Sequence, residues 1–221
     1  MDTHIWFSIQ LSLRVATVAT LFVALIGGVI AYFLATRQFR GKTFIEIVVT
    51  LPMILPPTVT GYYLILLLGR NGVIGRAIYR LTGWSLMFSW HGAVAAAFVV
   101  ALPLMIKTAQ AAIASLDRSM IDTAYVLGYS ELQTAIKVML PLARKGILAG
   151  VILSFARAMG EFGATLMLAG NIPGRTNTLP LAIYTAAASG DWPTAHVMVG
   201  LLTLMSGVFL FLVHKFGAKV S

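Results

Sequence analysis

Long apolar runs alternate with short polar connections along the chain. Four runs contain no charged residue: residues 15–36, 47–69, 81–106 and 192–214. A fifth run, residues 146–169, carries only Arg157 and Glu161. A helix of about 20 apolar residues crosses a hydrocarbon core about 30 Å thick, and each run has at least 22 residues. The pattern therefore predicts an all-α polytopic membrane protein.

We predict five crossings and one shorter element in a single domain, residues 1–221, with a core of about 8–214. The crossings lie at about residues 8–35, 44–69, 89–112, 142–169 and 195–214. A further apolar segment, residues 179–188, is too short to span the core. We expect it to form an outer half-helix or a re-entrant turn, which gives six helical elements.

Composition excludes several kinds of protein. Hydrophobic residues make up 59% and charged residues 10% of the chain, against roughly 45–50% and about 25% in globular proteins. The absence of cysteine excludes a disulfide scaffold and thiolate chemistry. The four histidines show no metal-ligand spacing, and no Gly-x-x-x-x-Gly-Lys phosphate-binding loop occurs. We therefore expect no enzyme activity, metal or cofactor in this chain. If ATP energises transport by this chain, a partner must bind the ATP and Mg²⁺ and supply the hydrolysis.

The net charge of +9 comes from basic residues that lie between the apolar runs. This distribution indicates that they hold the connecting loops on the cytoplasmic side of the membrane, and it argues against a nucleic-acid-binding surface. With the N-terminus outside, ten basic residues lie on the inner side: Arg37, Arg40, Lys42, Lys107, Arg118, Lys137, Arg144, Lys145, Lys215 and Lys219. Four lie on the outer side: Arg70, Arg76, Arg80 and Arg175. Because cytoplasmic loops carry the excess of Lys and Arg, we predict an outer N-terminus and a cytoplasmic C-terminus.

Prolines interrupt two of the predicted crossings. Pro52, Pro56 and Pro57 lie in the second crossing, and Pro103 lies in the third. Each proline removes an amide donor and pushes against the carbonyl four residues before it. Lipid cannot satisfy a freed carbonyl, so this backbone must face protein or a wet cavity. For Pro103 we favour a packed kink, whereas the three prolines together fit either a packed kink or a segment beside a pathway.

The connection at residues 117–141 carries the most informative spacing. Its physical pattern is a short amphipathic helix that begins at Asp122 and ends at Gly128, followed by a second element and Pro141. The segment resembles the EAA loop of ABC importer permeases (Glu-Ala-Ala, three residues, Gly, nine residues, Ile-x-Leu-Pro). Ala124, Gly128, Leu140 and Pro141 match that pattern, while Asp122, Thr123 and Val138 replace Glu, Ala and Ile. The resemblance implies that this loop docks into a cleft on an ATPase subunit.

A second resemblance covers nearly the whole chain. Residues 154–165 and 170–184, together with residues 51–62 around the prolines, are similar to molybdate importer permeases. Sulfate and thiosulfate permeases have a similar Arg-x-x-Gly-Glu segment but usually longer chains. The resemblance implies an ABC type I transmembrane domain that works as a homodimer with two ATPase subunits and an extracytoplasmic binding protein. Tungstate is inseparable from molybdate here, because the two oxyanions are nearly equal in size and shape.

Two groups of residues are candidates for the transport site. The candidate pathway or gate consists of Pro52, Pro56, Pro57, Arg157, Glu161 and Thr165. The candidate contact with the binding protein consists of Asn171, Pro173, Arg175 and Thr176, although a solvated loop fits that composition equally well. Arg157 and Glu161 are four positions apart, which predicts one shared helix face. They form either a mutually neutralising pair or part of the anion path.

Other functions remain open at this point. A sulfate or thiosulfate permease is the alternative within ABC transport. An ATP-independent secondary transporter or channel is the alternative from another class, although the chain shows no inverted repeat. A structural membrane scaffold would explain neither the three prolines of the second crossing nor the charged pair.

The predicted sidedness is testable with single cysteines, since the chain contains none. We expect a cysteine at Gly41 or Ser221 to react only from the cytoplasmic side, and one at Gly72 or Gly174 only from outside. The measurement is labelling by a membrane-impermeant maleimide in intact cells. Labelling of Gly41 and Gly72 variants from the same side would disprove the topology.

Overall fold

The computed structural model describes residues 3–218. Ser221, one of the positions proposed for a single cysteine, lies outside this range. The described part contains ten helices and no strand. The helices are α1 (Thr3–Thr36), α2 (Lys42–Ile54), α3 (Pro57–Leu68), α4 (Gly75–Thr82), α5 (Trp90–Ala114), α6 (Arg118–Val126), α7 (Glu131–Met159), α8 (Gly163–Ala169), α9 (Leu179–Ala188) and α10 (Trp192–Ala218). The predicted all-α class is confirmed.

Four helices are long and apolar enough to cross a membrane: α1, α5, α7 and α10. Helices α2 and α3 form a fifth span if they are counted together, and they bend by 119° at the break between them. The structure therefore agrees with the predicted five crossings when this bent pair is counted as one span. Helix α9 occupies the predicted residues 179–188 and is ten residues long.

The predicted fourth crossing differs most from the structure. Helix α7 begins at Glu131, well before the predicted start at residue 142, and ends at Met159 rather than at residue 169. Pro141 therefore lies inside a helix, where its ring opposes the carbonyl of Lys137. Lys137 belongs to a π-helical turn, Ala135–Met139, whose wider spacing of hydrogen bonds lets the helix continue past the proline. Helix α4 was not predicted.

Helix α5 forms the centre of the fold, and small side chains let its neighbours approach closely. Its buried positions include Ala93, Ala96, Ala97, Ala101 and Ala109. Against this surface, α7 presents Gly146, Gly150 and Ser154 at four-residue spacing. A Cβ on Gly146 would lie 2.3 Å from the Cβ of Ala112, and the Ser154 hydroxyl donates to the Ala101 carbonyl at 3.3 Å. Such small-residue contacts are typical of tightly packed membrane helices.

This packing predicts a cost for one added methyl group. Gly146→Ala places its Cβ on Ala112, so α5 and α7 must separate, and overpacking of this kind costs about 1–3 kcal/mol. Gly200→Ala is the matched control, because no atom lies within 4 Å of the added Cβ and alanine favours the helix. We expect a lower denaturation temperature in detergent for Gly146→Ala only. Equal stability of the two variants would contradict the close contact.

Candidate functional site

The proline-rich break between α2 and α3 follows from local backbone chemistry. Leu55 and Pro56 adopt extended backbone conformations, as the position before a proline favours. Pro57 opens α3, where its missing amide has no helical partner to lose. The amides of Val59 and Thr60 both donate to the Pro56 carbonyl, at 2.9 and 3.1 Å. Pro52 lies inside α2, one turn before the break.

A second break, at residues 160–162, separates α7 from α8. Glu161 lies in this break, so the predicted shared helix face of Arg157 and Glu161 is wrong. The two side chains still form an ion pair, with Arg157 Nη2 2.8 Å from Glu161 Oε2. Glu161 Oε1 accepts the amide of Ala164 at 2.8 Å and so caps the start of α8. The Glu161 carboxylate thus pairs with Arg157 and also accepts an amide of α8. The second contact could not be predicted from the sequence, because it depends on the break between α7 and α8.

The two breaks lie against each other. A Cβ on Gly163 would lie 2.9 Å from the Cβ of Pro57, and one on Gly61 would lie 2.9 Å from the Cα of Ala164. Helices α3 and α8 therefore touch through their backbones. The structure brings Pro57, Glu161 and Arg157 to one region, with Thr165 buried one turn further along α8.

Burial is unequal within the charged pair. The Glu161 side chain is 2% exposed, whereas the Arg157 side chain is 32% exposed. An unpaired carboxylate at the Glu161 position would therefore be the more costly partner to leave behind. The roles of both residues in a pathway stay predictions.

The connection between α5 and α7 forms a compact helical turn, which we call the coupling turn (residues 117–137). Asp117, rather than the predicted Asp122, caps the first helix: its carboxylate accepts the Ser119 amide at 2.9 Å. This hydrogen bond lowers the pKa of Asp117. Asp122 is the central residue of α6, because the helix starts four residues earlier than predicted.

Gly128 ends α6 as predicted, with a φ of +84°. The Tyr129 amide donates back to the Ala124 carbonyl at 3.0 Å, a hydrogen bond typical of glycine-terminated helices. The next helix starts at once, because Ser130 and Gln133 form a reciprocal capping box. Val138, Leu140 and Pro141 follow inside α7 and not in the turn.

The coupling turn has one face against the protein and one face in solvent. Ala124 is buried, and Ile121 packs against the Ile113 and Met139 side chains. The opposite face exposes Val126 (87%), Leu127 (72%) and Leu132 (69%). Exposed apolar groups gathered on one projection mark a protein-binding surface.

Two polar contacts that sequence reasoning missed join separate helices, and one of them involves the coupling turn. Glu131, at the start of α7, pairs with Arg37 at the end of α1. Glu46 on α2 accepts a hydrogen bond from the Gln110 amide on α5 at 2.7 Å. Each pair joins residues at least 64 positions apart, so no local sequence motif predicts these contacts.

The loop that follows α8 is folded on itself. Thr176 is fully buried: its hydroxyl accepts the Ile172 amide at 2.9 Å and donates to the Gly170 carbonyl at 3.2 Å. Its predicted place on a contact surface is therefore wrong. Asn171 donates to Thr185 at 2.7 Å. Pro173 and Arg175 are exposed at the tip, where contact with a partner stays a prediction.

Within residues 3–218 no group of three or more histidine, aspartate and glutamate side chains could hold a metal ion. The arrangement contains no nucleophile aligned with a base and no paired carboxylates. It offers instead two adjoining helix breaks with a charged pair, and an apolar projection at the other end of α7.

The charged pair gives a prediction that separates its partners. Arg157→Met leaves a buried carboxylate unpaired, whereas Glu161→Gln leaves a partly exposed cation and keeps an acceptor for the Ala164 amide. Loss of one member of a buried pair costs about 3–5 kcal/mol. We expect Arg157→Met to lower the denaturation temperature most and the double variant to recover much of that loss. A double variant less stable than both single variants would contradict mutual neutralisation.

Comparison with known proteins places this geometry. The family described as "Binding-protein-dependent transport system inner membrane component" matches residues 13–219. A Bacillus subtilis (strain 168) protein, "Putative molybdenum transport system permease protein YvgM", is 42% identical over 94% of this chain and 91% of its own. "Molybdenum transport system permease protein ModB" of Escherichia coli (strain K12) is 36% identical over 98% and 94%. A "Probable sulfate transport system permease protein cysT" of Prototheca wickerhamii is 29% identical over 92% and 79%.

A solved structure has the same fold. The chain aligns with an inward-facing structure of the MetNI methionine ABC transporter with a TM-score of 0.76 over 100% of both chains, at 17% identity. This likeness concerns the fold, and the family match covers residues 13–219 of this chain. The chain belongs to the family of binding-protein-dependent transport system inner membrane components.

Proposed function

We propose that this chain is the membrane-spanning permease subunit of an ATP-driven importer of molybdate, with tungstate carried by the same route. The substrate assignment rests on similarity to relatives named for molybdenum transport, at 42% and 36% identity over nearly full chains. The relative named for sulfate is less similar, at 29%.

The permease works as a dimer of this chain with two ATPase subunits and an extracytoplasmic molybdate-binding protein. ATP and Mg²⁺ bind to the ATPase. The coupling turn docks there through Val126, Leu127 and Leu132, the most exposed apolar side chains of that projection. Burial of apolar surface stabilises such a contact by about 25 cal/mol per Å². The exposed tip of the outer loop, with Pro173 and Arg175, receives the loaded binding protein.

Helix α7 links the coupling turn to the Arg157–Glu161 pair. It runs unbroken from Glu131 in the coupling turn to Met159 beside the charged pair. Glu131 and Arg157 are 26 residues apart, about 39 Å along a helix. A displacement of the coupling turn by the ATPase therefore moves Arg157 with it. Helix α8 is separated by the break, so the Arg157–Glu161 contact is where the moving and static parts meet.

The opposite charges of Arg157 and Glu161 favour weak, transient binding of an oxyanion over tight binding. Arg157 attracts an anion, but Glu161 lies 2.8 Å from it and cancels most of that attraction. A site that binds weakly also releases quickly. The binding protein then supplies affinity and selectivity, and this chain opens and closes the route by alternating access.

The test is uptake of radiolabelled molybdate into proteoliposomes that hold the permease, its ATPase and its binding protein. We expect uptake to require ATP and to be competed by excess tungstate but much less by sulfate. Equal competition by sulfate would assign the chain to sulfate transport. Uptake without ATP would assign it to secondary transport.

The coupling turn gives a prediction with a matched control. Gly128 and Gly83 both have positive φ, +84° and +68°, and neither has an atom within 4 Å of an added Cβ. Valine at either position carries a similar backbone strain, on the order of 1–3 kcal/mol. Only Gly128 lies in the coupling turn, so only its distortion should misplace the docking face.

We expect Gly128→Val to insert and dimerise normally while copurifying less ATPase and losing most molybdate uptake. Gly83→Val should retain both. The measurements are ATPase recovered per permease and uptake in the proteoliposomes described above. Normal docking and uptake in Gly128→Val would show that coupling runs through another surface.

A further inference from the structure

An apolar groove on the membrane face of the protein has a cation at one end. Its walls are one side of α1, the start of α5 and the loop before α5. The α1 wall consists of Val18, Phe22 and Ile26, and the opposite wall consists of Trp84, Leu86, Trp90, His91, Val94, Ala95 and Phe98. The α1 residues are spaced four apart and so form one row along the helix. Arg14 continues the same row at its outer end.

An aromatic ring, rather than a carboxylate of the described residues, contacts Arg14. Its guanidinium lies 4.0 Å from the centroid of the Trp90 ring. Trp90 also contacts His91, with ring centroids 4.0 Å apart, and Trp84 meets His91 edge to face at 4.9 Å. Within residues 3–218 Arg14 forms no ion pair with a carboxylate. The exposed Arg14 cation at the end of the apolar groove is complementary to a ligand with an anionic head and an apolar tail.

The groove has the length of one membrane leaflet. Arg14 and Ile26 are 12 residues apart, about 18 Å along a helix. Half of a hydrocarbon core about 30 Å thick is about 15 Å. Trp84 and Trp90 lie at the Arg14 end, where tryptophan marks the boundary between headgroups and hydrocarbon. An acyl chain that starts at the headgroup level would therefore fill the groove to its inner end.

A second copy of this chain is a poorer occupant on grounds of charge. The described residues contain six carboxylates: Glu46, Asp117, Asp122, Glu131, Glu161 and Asp191. The first four belong to the end of the molecule that holds the coupling turn, and Glu161 is buried against Arg157. Asp191 accepts the Thr194 amide at the start of α10. Phospholipid phosphates, in contrast, are abundant at the level of Arg14.

We propose that this groove binds one anionic phospholipid, with its phosphate on Arg14 and one acyl chain between α1 and α5. The lipid completes the packing between these two helices on the membrane side. It also gives Arg14 a counter-ion that no carboxylate of the described chain provides.

The test is native mass spectrometry of the full-length chain, titrated with phosphatidylglycerol or with phosphatidylcholine of the same acyl chains. We expect one tightly held phosphatidylglycerol per chain. One cation near the headgroups favours the anionic lipid by about fivefold. Arg14→Gln should abolish that preference, and Arg14→Lys should keep it.

Matched variants guard against general effects. Arg70 stacks on Tyr79 with a guanidinium-to-ring distance of 4.1 Å but does not line this groove, so Arg70→Gln should leave the preference unchanged. Val18→Trp fills the groove and should remove the tightly held lipid. Val29→Trp, on the same helix but outside the groove, should retain it.

Three outcomes would overturn the proposal. The first is equal binding of the two lipids by the parent chain. The second is an equal loss of preference in the Arg14→Gln and Arg70→Gln variants. The third is a Val18→Trp variant that dissociates the dimer and leaves lipid binding unchanged, which would make the groove an interface between copies of the chain.

Discussion

Inside a bilayer every backbone amide and carbonyl needs a partner within the protein, because lipid offers none. Two apolar stretches of this chain are each broken into two helices, and the surrounding structure accommodates these breaks. The extended residues before Pro57 and the break before Gly163 lie against each other, and glycine at positions 61 and 163 permits the approach. Glu161 supplies an acceptor for an amide at the start of α8. A charged residue is thus retained in the membrane partly because it satisfies backbone.

Close packing around α5 gives these breaks a firm support. Alanines along α5 meet glycine and serine on α7, so the two helices lie in contact over most of their shared length. Dispersion contacts and a few buried hydrogen bonds hold such an interface, since apolar burial gives membrane helices no preference for each other over lipid. Helix α1 also packs on α5 through Val15, Ala16 and Ala19, and the apolar groove that begins beside Arg14 runs along the exposed side of this contact.

Helix α7 joins this support to the coupling turn. A helix that enters directly from the coupling turn carries the position of that turn to the charged pair without an intervening loop. The Arg37–Glu131 pair joins the start of this helix to the end of α1. Both side chains are about half exposed, and an ion pair in such a setting contributes only about 0–1 kcal/mol. A contact of that strength orders the turn but can open at little cost in free energy.

The sequence by itself determined the class of the protein and several of its elements. Apolar runs fixed the five crossings, because length and hydropathy decide insertion almost alone, and the brevity of residues 179–188 identified α9. Gly128 was predictable because a positive φ is costly for any residue with a β-carbon. The pairing of Arg157 with Glu161 was predictable from spacing, although its geometry was not.

Only the tertiary structure decided where helices break and which polar groups meet. The start of α7 at Glu131 depended on a π-helical turn that lets the helix pass Pro141, and no local propensity encodes that turn. The burial of Thr176 depended on carbonyl and amide groups that its loop brings together only after folding. Arg37 and Glu131 lie 94 positions apart, and Arg14 meets Trp90 across two helices. Contacts between distant segments depend on how helices pack, and many sequences with the same hydropathy pattern would pack differently.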